Sequence, residues 1–357
     1  MKERILQLQP YKPGKSPEQI KKEYNVDEVI KLASNENAFG CSPKIAKAVQ
    51  EALKEAATYP DGNAEIIRQK VAQHLQVKEN ELLFGAGLDE VIQILSRVLL
   101  CEGDNIVTAN QTFVQYKHHA VIEGAEIREV PLVDGRFDLE GIRSAIDEKT
   151  RIVWICNPNN PTGTYVTEEE LVSFLHKVPG YVTVVLDEAY YEYVVAEDYP
   201  ETVPLIKNYD NLIVLRTFSK AYGLASLRIG YAVGNEVLIA KLNIGRLPFN
   251  TSTIAQVAAA TALDDQEFIK HTVSETRTGI ELFEQELETL GVSYYPSQTN
   301  FIFVHTKDPQ AVFTKLIEKG YIVRPMPNGV RISMGTMEQN KAVIEILKND
   351  INKDLLV

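Results

Sequence analysis

The sequence of 357 residues predicts an α/β fold, with a large domain built on a mostly parallel β-sheet and a smaller α+β domain. Short apolar runs typical of buried strands alternate with segments of helical periodicity over most of the chain. Strands separated by helices favour a parallel sheet that is covered on both faces. Near the carboxyl end the strands become shorter, and a chain of this length exceeds one typical core.

In chain order, the first 34 residues are polar, carry prolines at positions 10, 13 and 17, and predict an extended arm. Ser42-Pro43 predicts a helix start, because proline suits the first helical turn, and this helix is expected to run to about residue 57. The pattern then predicts strands at residues 81–84, 105–109, 126–130, 151–156, 182–186, 212–216 and 229–233, and helices at 88–100, 114–122, 139–146, 168–176 and 236–244. A long helix at 265–290 is followed by strands at 300–304, 321–324 and 329–333, mixed with two helices.

These patterns predict three parts. The arm, residues 1–34, is expected to join the small domain. The large domain is expected to span residues 35–265, and the small carboxyl-terminal domain residues 266–357.

Composition and charge exclude several classes of protein. The net charge of −12 argues against a nucleic-acid or anionic-membrane surface, because both need clustered cations. Three widely spaced cysteines and six histidines form no zinc or catalytic-triad pattern, so no metal is expected. The amino-terminal segment has no apolar core of the signal-peptide kind, and no run of 18 apolar residues occurs, so we expect a soluble, cytoplasmic protein.

Two side chains that can carry chemistry stand at the ends of predicted strands. Lys220 follows the apolar run that begins at residue 211, and Asp187 ends the run that begins at residue 181. Because ligands bind parallel sheets at the carboxyl ends of the strands, an amine and a carboxylate are expected at one sheet edge. A pyridoxal phosphate (PLP) site needs such a pair, with a lysine to bond the cofactor and an aspartate to keep its pyridine nitrogen protonated. Taken alone, each residue is more often an ordinary strand-end or capping residue.

The neighbouring sequence favours the functional interpretation. Residues 154–163 form a strand end and a loop with two prolines and three asparagines, which suits the binding of a polar ligand group. Ser219, Lys220 and Arg228 lie within one turn and can form a phosphate site.

These motifs, in this order, resemble those of a known family. They are Asn-Pro-Asn-Asn-Pro-Thr-Gly at residues 157–163, Asp-Glu-Ala-Tyr at 187–190, Ser-Lys at 219–220 and Leu-Arg-Ile-Gly at 227–230. The set resembles the fold-type I PLP-dependent aminotransferases of the aspartate aminotransferase superfamily, and within it the family of histidinol-phosphate aminotransferases, over almost the whole chain. The resemblance implies the three-layer PLP-transferase fold and a homodimer with shared active sites. It also implies a step of histidine biosynthesis in which L-histidinol phosphate and 2-oxoglutarate give imidazole acetol phosphate and L-glutamate.

The same resemblance assigns roles to individual residues. Lys220, Asp187 and Tyr190 are the expected catalytic residues, and Tyr190 and Asn160 are expected at the phenolic oxygen of the cofactor. Phe113 is expected against the cofactor ring, and Tyr59 at the phosphate of the neighbouring subunit. The remaining cofactor-binding residues are expected to be Gly85, Ala86, Gly87, Leu88, Asp89, Ser219 and Arg228.

The glycine turn at residues 85–89 departs from the commoner family form, which has serine where this chain has Leu88. Glycines let the backbone approach an anion, and the amides at the start of the following helix point at it. Without the resemblance, a tight turn with an acidic cap would explain the same residues. Ser226 also departs from the glycine found in many relatives, and a small local adjustment is expected there.

Substrate binding is expected from four residues. Arg331 matches the arginine that holds the anionic group of the substrate, and a guanidinium suits a carboxylate or phosphate. Arg324 and Tyr11 are candidates for contacts with a substrate phosphate, and Asn35 completes the set. From the sequence alone, Arg324 and Tyr11 are equally compatible with ordinary surface positions.

Three other functions remain open at this point. The first is an aromatic or broad-specificity aminotransferase. The second is a PLP-dependent lyase similar to threonine-phosphate decarboxylase. The third is a PLP-binding regulator, which the acidic charge and the length of the chain disfavour.

Overall fold

The computed structural model describes residues 3–8 and 17–357. Tyr11, one of the predicted substrate-binding residues, lies outside the described residues. The helices are α1 (Pro17–Tyr24), α2 (Lys44–Ala52), α3 (Glu65–Leu75), α4 (Leu88–Leu99), α5 (Gln115–Glu123), α6 (Leu139–Ser144), α7 (Glu168–Leu175), α8 (Thr202–Leu205), α9 (Glu236–Leu242), α10 (Thr253–Leu263), α11 (Gln266–Leu290), α12 (Pro309–Ile317) and α13 (Met337–Asn349). The strands are β1 (Ile30–Lys31), β2 (Leu82–Gly85), β3 (Asn105–Ala109), β4 (Glu126–Val130), β5 (Thr150–Cys156), β6 (Thr183–Asp187), β7 (Leu212–Thr217), β8 (Gly230–Gly234), β9 (Tyr294–Tyr295), β10 (Phe301–His305), β11 (Tyr321–Ile322), β12 (Arg324–Met326) and β13 (Gly329–Ser333).

A seven-stranded sheet in the order β2-β8-β7-β6-β5-β3-β4 forms the centre of the molecule. The strands β7, β6, β5, β3 and β4 pair in parallel, whereas β8 runs antiparallel to both β7 and β2. The strands β5, β6 and β7 are almost entirely buried, as expected for a parallel sheet with both faces covered. The predicted α/β class with a mostly parallel sheet is confirmed.

A smaller four-stranded antiparallel sheet, in the order β12-β13-β10-β9, follows α11. A separate parallel pair joins β1 of the amino-terminal segment to β11. The single strand predicted at residues 321–324 is therefore wrong, because β11 and β12 pair with different partners. An alternating apolar pattern does not determine with which other strand a strand pairs.

The prediction that residues 1–34 form an extended arm is also wrong for the described part. Residues 17–24 form α1, whose Ile20 is 2% exposed and anchors the helix. Leu32 is buried in the same apolar cluster as Val330 and Ile332 of β13. The segment therefore packs against the small sheet through a few apolar contacts. Because most of its residues are polar, these contacts were not evident from its composition.

Two apolar cores correspond to the two sheets. The larger surrounds the seven-stranded sheet, and the smaller lies between α11, α13 and the small sheet. The domain boundaries after residues 34 and 265 remain predictions. Among the described residues, no helix combines the length and the apolar character needed to cross a bilayer.

The sequence patterns missed α3, α8 and α10. Helix α10 contains Ala258, Ala259, Ala260 and Ala262, all buried, and packs against both α2 and α3. A helix that is covered on several sides lacks the polar face that gives helical periodicity.

The turn after Lys220 packs tightly on the segment before α2. Gly223 has a φ of +72°, and a Cβ at this position would collide with the backbone carbonyl of Gly40. Asn37 donates to the carbonyl of Ala221 at 2.9 Å. The backbone around Lys220 is thus fixed by contacts with residues far away in the chain.

We predict that Gly223→Ala destabilises the protein more than Gly291→Ala does. Both glycines have positive φ, but a Cβ at Gly291 would have no heavy atom within 4 Å. Gly291→Ala should therefore cost only the backbone strain, about 1–2 kcal/mol. Gly223→Ala should cost about 1–3 kcal/mol more, because packed backbone must move. Urea unfolding of the two variant apoproteins and the wild type measures the free energy of unfolding of each. Equal losses of this free energy in the two variants would contradict the close packing of the turn.

Candidate active site

The parallel strands β5, β6 and β7 bring the predicted catalytic residues to one edge of the sheet. Asn160 lies in the loop after β5, Asp187 is the last residue of β6, and Lys220 follows β7. Asn157 continues the pairing beyond β5 by donating its backbone N–H to the carbonyl of Asp187 at 2.9 Å. The carboxyl-end location predicted for the three residues is confirmed by the fold.

Asp187 is 3% exposed and is held at both carboxylate oxygens. Tyr116 donates its hydroxyl to Oδ2 at 2.6 Å, and the N–H of Ala189 donates to Oδ1 at 3.1 Å. Burial raises the pKa of Asp187 to about 6, while these two hydrogen bonds act in the opposite direction. A cation placed beside this carboxylate would favour its charged form.

Lys220 is half-buried, and its amine donates to the carbonyl of Ser34 at 3.0 Å. Its Nζ lies 5.7 Å from the centre of the Tyr190 ring. Burial, followed by the positive charge of Arg331, lowers the pKa of Lys220 to about 8. A substantial fraction of this amine is therefore neutral near physiological pH, as a nucleophile or a proton acceptor requires.

Arg331 of β13 is directed toward the loop after β5. Its Nη1 donates to Oδ1 of Asn160 at 2.5 Å, and its Nη2 donates to the carbonyl of Ala33 at 2.6 Å. Its Nε is buried and has no partner among the described residues. Burial lowers the pKa of Arg331, as expected for a guanidinium without a carboxylate partner. This side chain has donor capacity left for an anionic ligand.

Tyr190 is 3% exposed and accepts a hydrogen bond from the side-chain amide of Asn35 at 2.9 Å. The hydroxyl of Ser333 donates to Oδ1 of Asn35 at 2.8 Å, so the NH₂ of Asn35 must face Tyr190. Burial raises the pKa of Tyr190 above its usual range, which keeps the phenol protonated. With one lone pair engaged by Asn35, the hydroxyl proton remains available for a ligand.

A second part of the site lies at the start of α4. Gly87 precedes α4 with a φ of +78°, and a Cβ there would occupy the position of the Arg228 guanidinium. Arg228 donates to the carbonyl of Ala225 at 2.9 Å and pairs with Asp89 at 3.3 Å. A partly exposed guanidinium next to a helix N-terminus is a suitable phosphate site.

Other residues of the predicted cradle have distinct surroundings. Ser219 is buried, and its N–H donates to the hydroxyl of Thr217. Leu88 is 8% exposed and belongs to the large apolar core, so its side chain faces away from any ligand. The N–H of Ala86 donates to the carboxylate of Glu90. Gly85 is the last residue of β2, and Val91 would obstruct a Cβ there.

Phe113 lies beside a residue that the sequence analysis did not single out. Its ring meets that of Tyr116 edge-on, with centroids 5.6 Å apart. Tyr116 is fully buried and stacks on Trp154. The available signal was its position three residues after Phe113, one helical turn away, but the hydrogen bond to Asp187 spans 71 residues of chain.

Two predicted residues lie at the margin of the cluster or outside it. Arg324 is exposed and lies opposite Arg331 across the β12–β13 pair. Tyr59 is 82% exposed and stacks on Phe249, with ring centroids 4.8 Å apart. Within residues 3–8 and 17–357, Tyr59 has no hydrogen bond or ring contact with another candidate site residue.

The arrangement can hold a phosphorylated aromatic ring. Arg228 and the backbone at the start of α4 suit a phosphate, the carboxylate of Asp187 suits a protonated ring nitrogen, and Lys220 supplies an amine. The orphaned Nε of Arg331 fits a second, separate anion.

Comparisons with known proteins agree with this geometry. The sequence pattern of the family described as aminotransferase class I and II matches residues 27–347. A relative from Geobacillus thermodenitrificans named histidinol-phosphate aminotransferase is 56% identical over 362 residues, which cover 100% of this chain and 99% of the relative.

Two solved structures show the same fold. A histidinol-phosphate aminotransferase from Sinorhizobium meliloti, in complex with pyridoxal-5'-phosphate, has a TM-score of 0.89 at 26% identity and covers 98% of each chain. The L-threonine-O-3-phosphate decarboxylase from Porphyromonas gingivalis has a TM-score of 0.80 at 23% identity, over 90% of this chain and 99% of that one, and shows the fold alone. The chain therefore belongs to the class I and II aminotransferase family.

Proposed function

We propose that this protein uses PLP to transfer the amino group of L-histidinol phosphate to 2-oxoglutarate, which gives imidazole acetol phosphate and L-glutamate. The observation that carries the proposal is the full-length relative, 56% identical and named histidinol-phosphate aminotransferase. The site supports it, since it combines a phosphate cradle, a buried carboxylate, an amine of lowered pKa and a free anion-binding guanidinium.

The cofactor would be held at three places. Arg228, Ser219 and the backbone of residues 85–89 would bind its phosphate. Asp187 would face its ring nitrogen, and Phe113 would lie against the ring. Tyr190 and Asn160 would donate to its phenolic oxygen. When bound, PLP supplies an aldehyde that takes up the amino group and a ring that accepts electrons.

The side chains then have separable tasks. Lys220 would anchor the cofactor, and its amine, neutral because of the lowered pKa, would accept and return a proton at the reacting carbon of the substrate. Asp187 would face the ring nitrogen, whose positive charge would keep Asp187 a carboxylate. Tyr190 stays protonated and donates its hydrogen, because Asn35 already donates to its oxygen.

Substrate anions would be bound on the side of the small sheet. Arg331 offers its unpartnered Nε, and Arg324 lies opposite it with its side chain exposed. The two guanidiniums would bind the phosphate of histidinol phosphate in one half-reaction and a carboxylate of 2-oxoglutarate in the other. Asn35 holds Tyr190, so its proposed contribution to substrate binding is indirect. Tyr11 remains a sequence-based prediction.

We further propose a homodimer in which Tyr59 completes the site of the neighbouring subunit. Tyr59 stacks on Phe249, and Ile244 and Leu247 of the segment that contains Phe249 are also exposed. Arg246 of this segment donates to the carbonyl of Gly62, three residues after Tyr59. Exposed apolar surface of this kind is typical of an interface between subunits. A cytoplasmic location is proposed on the three free cysteines.

The substrate is tested by assaying the purified protein with histidinol phosphate, tyrosine and phenylalanine, with 2-oxoglutarate as acceptor. We expect kcat/KM to be about 10- to 100-fold higher for histidinol phosphate, because charge-assisted hydrogen bonds to its phosphate contribute about 1.5–3 kcal/mol. Equal or higher kcat/KM for the aromatic amino acids would favour a broad-specificity aminotransferase. Release of CO₂ from threonine phosphate would favour the lyase.

We predict that Lys220→Ala abolishes transamination and removes the visible absorbance of the bound cofactor. No other residue supplies an amine at this position, so retained turnover with intact absorbance would exclude Lys220 as the anchor. The control is Lys207→Ala, because Lys207 is exposed and lies outside the site. This variant should keep both the activity and the spectrum.

We predict that Tyr59→Phe weakens PLP affinity by roughly 5- to 100-fold, as expected for the loss of one phosphate contact worth about 1–3 kcal/mol. The phenyl ring keeps the stacking on Phe249, and the absorbance of the bound cofactor should stay similar. Tyr181→Phe is the matched control, since Tyr181 is an exposed tyrosine whose hydroxyl contacts only the carbonyl of Asp147 among the described residues. Unchanged PLP affinity, or a fully active monomer in sedimentation, would contradict the shared site.

A further inference from the structure

Tyr116 connects the core of the large domain to the carboxylate of Asp187. Its side chain is fully buried, and its ring stacks on Trp154 with centroids 4.6 Å apart and planes 6° from parallel. Trp154 lies on β5 and pairs in register with Val185 of β6, two residues before Asp187. The tyrosine is therefore fixed against the same pair of strands that carries the carboxylate.

The hydrogen bond from Tyr116 leaves Asp187 little freedom to rotate. The hydroxyl donates to Oδ2 at 2.6 Å, while the backbone N–H of Ala189 holds Oδ1 at 3.1 Å. The contact with Tyr116 is buried, so water cannot replace it without a change in packing. The plane of the carboxylate is thus set by one side-chain donor and one backbone donor.

We propose that Tyr116 is a positioning residue, which holds the carboxylate of Asp187 in the orientation that receives the ring nitrogen of the cofactor. This inference rests on the proposed function, since it requires Asp187 to contact that nitrogen. Tyr116 acts through Asp187 and does not itself touch the reacting atoms.

The hydrogen bond from Tyr116 also acts on the pKa of Asp187, which it lowers. The groups that face Asp187 are Tyr116 from α5, Cys156 from β5, Asp89 from α4, Tyr190 and the adjacent Glu188. The pKa of Asp187 is raised to about 6, mainly by burial and also by the charges of Asp89 and Glu188, while the Tyr116 hydrogen bond opposes the rise. Removal of the hydroxyl must therefore raise this pKa, so that more of the carboxyl is protonated at neutral pH.

The first test measures PLP affinity of the full-length apoprotein as a function of pH. Tyr116→Phe keeps the ring on Trp154 and removes only the donor. A protonated Asp187 cannot pair with the cationic ring nitrogen, so we expect Kd for PLP to rise about 5- to 50-fold at pH 7, that is, about tenfold for each unit by which the pKa rises above 7. At pH 9 the carboxyl is ionised in both proteins, so only the lost orientation of the carboxylate remains, and the Kd of Tyr116→Phe should exceed that of the wild type by about 2- to 5-fold.

The control is Tyr231→Phe, which removes a hydroxyl from another buried tyrosine, whose ring contacts Phe84 and Phe218. Its Kd should match that of the wild type at both pH values. Circular dichroism of the apoproteins verifies that both variants fold. A Kd for PLP in Tyr116→Phe that equals the wild-type value at both pH 7 and pH 9 would overturn the proposal.

A double-mutant cycle separates this inference from the proposed function. Asp187→Asn should lower kcat by orders of magnitude, because a neutral amide cannot keep the ring nitrogen protonated. In the Asp187→Asn background, Tyr116→Phe should change Kd at pH 7 by less than about twofold, since the group through which it acts is gone. The same loss in both backgrounds would overturn the positioning role and leave the proposed function intact. Wild-type turnover in Asp187→Asn would refute the role of Asp187, and with it this inference.

Discussion

Residues 33–35 hold the candidate site together. Their backbone carbonyls accept hydrogen bonds from Lys220 and Arg331, and the side chain of Asn35 donates to Tyr190. Lys220 and Tyr190 follow strands of the large sheet, whereas Arg331 belongs to the small sheet. One short stretch of chain therefore fixes the distance between the part of the site that would bind the cofactor and the part that would bind the substrate.

Desolvation shifts the two central titratable groups in opposite directions, and in both cases toward the neutral form. The pKa of Lys220 falls to about 8, and that of Asp187 rises to about 6. A cationic ring nitrogen beside Asp187 would reverse the second shift. In the proposed site, the binding of the cofactor would thus be coupled to the ionisation of Asp187.

Much of this site could be predicted from local sequence. Buried apolar runs located β5, β6 and β7, and the residues at their carboxyl ends were therefore expected at one edge. Contacts between residues far apart in the chain could not be predicted from the sequence, because no local pattern encodes them. The bond from Tyr116 to Asp187 and the bond from Asn35 to Tyr190 join residues 71 and 155 positions apart. Helix α10 was missed for a related reason, since several elements cover it and remove its polar face.

The antiparallel strand β8 has a consequence for how this site can change. Because β8 returns directly from the edge where β7 ends, Lys220 and Arg228 occupy a single connection between two paired strands. The paired strands β7 and β8 hold both ends of this connection. In its middle, Gly223 packs against the backbone of Gly40. Insertions or deletions there would move the amine of Lys220 relative to the guanidinium of Arg228. This loop should therefore keep its length when the protein is recombined or redesigned, even where its residues are exchanged.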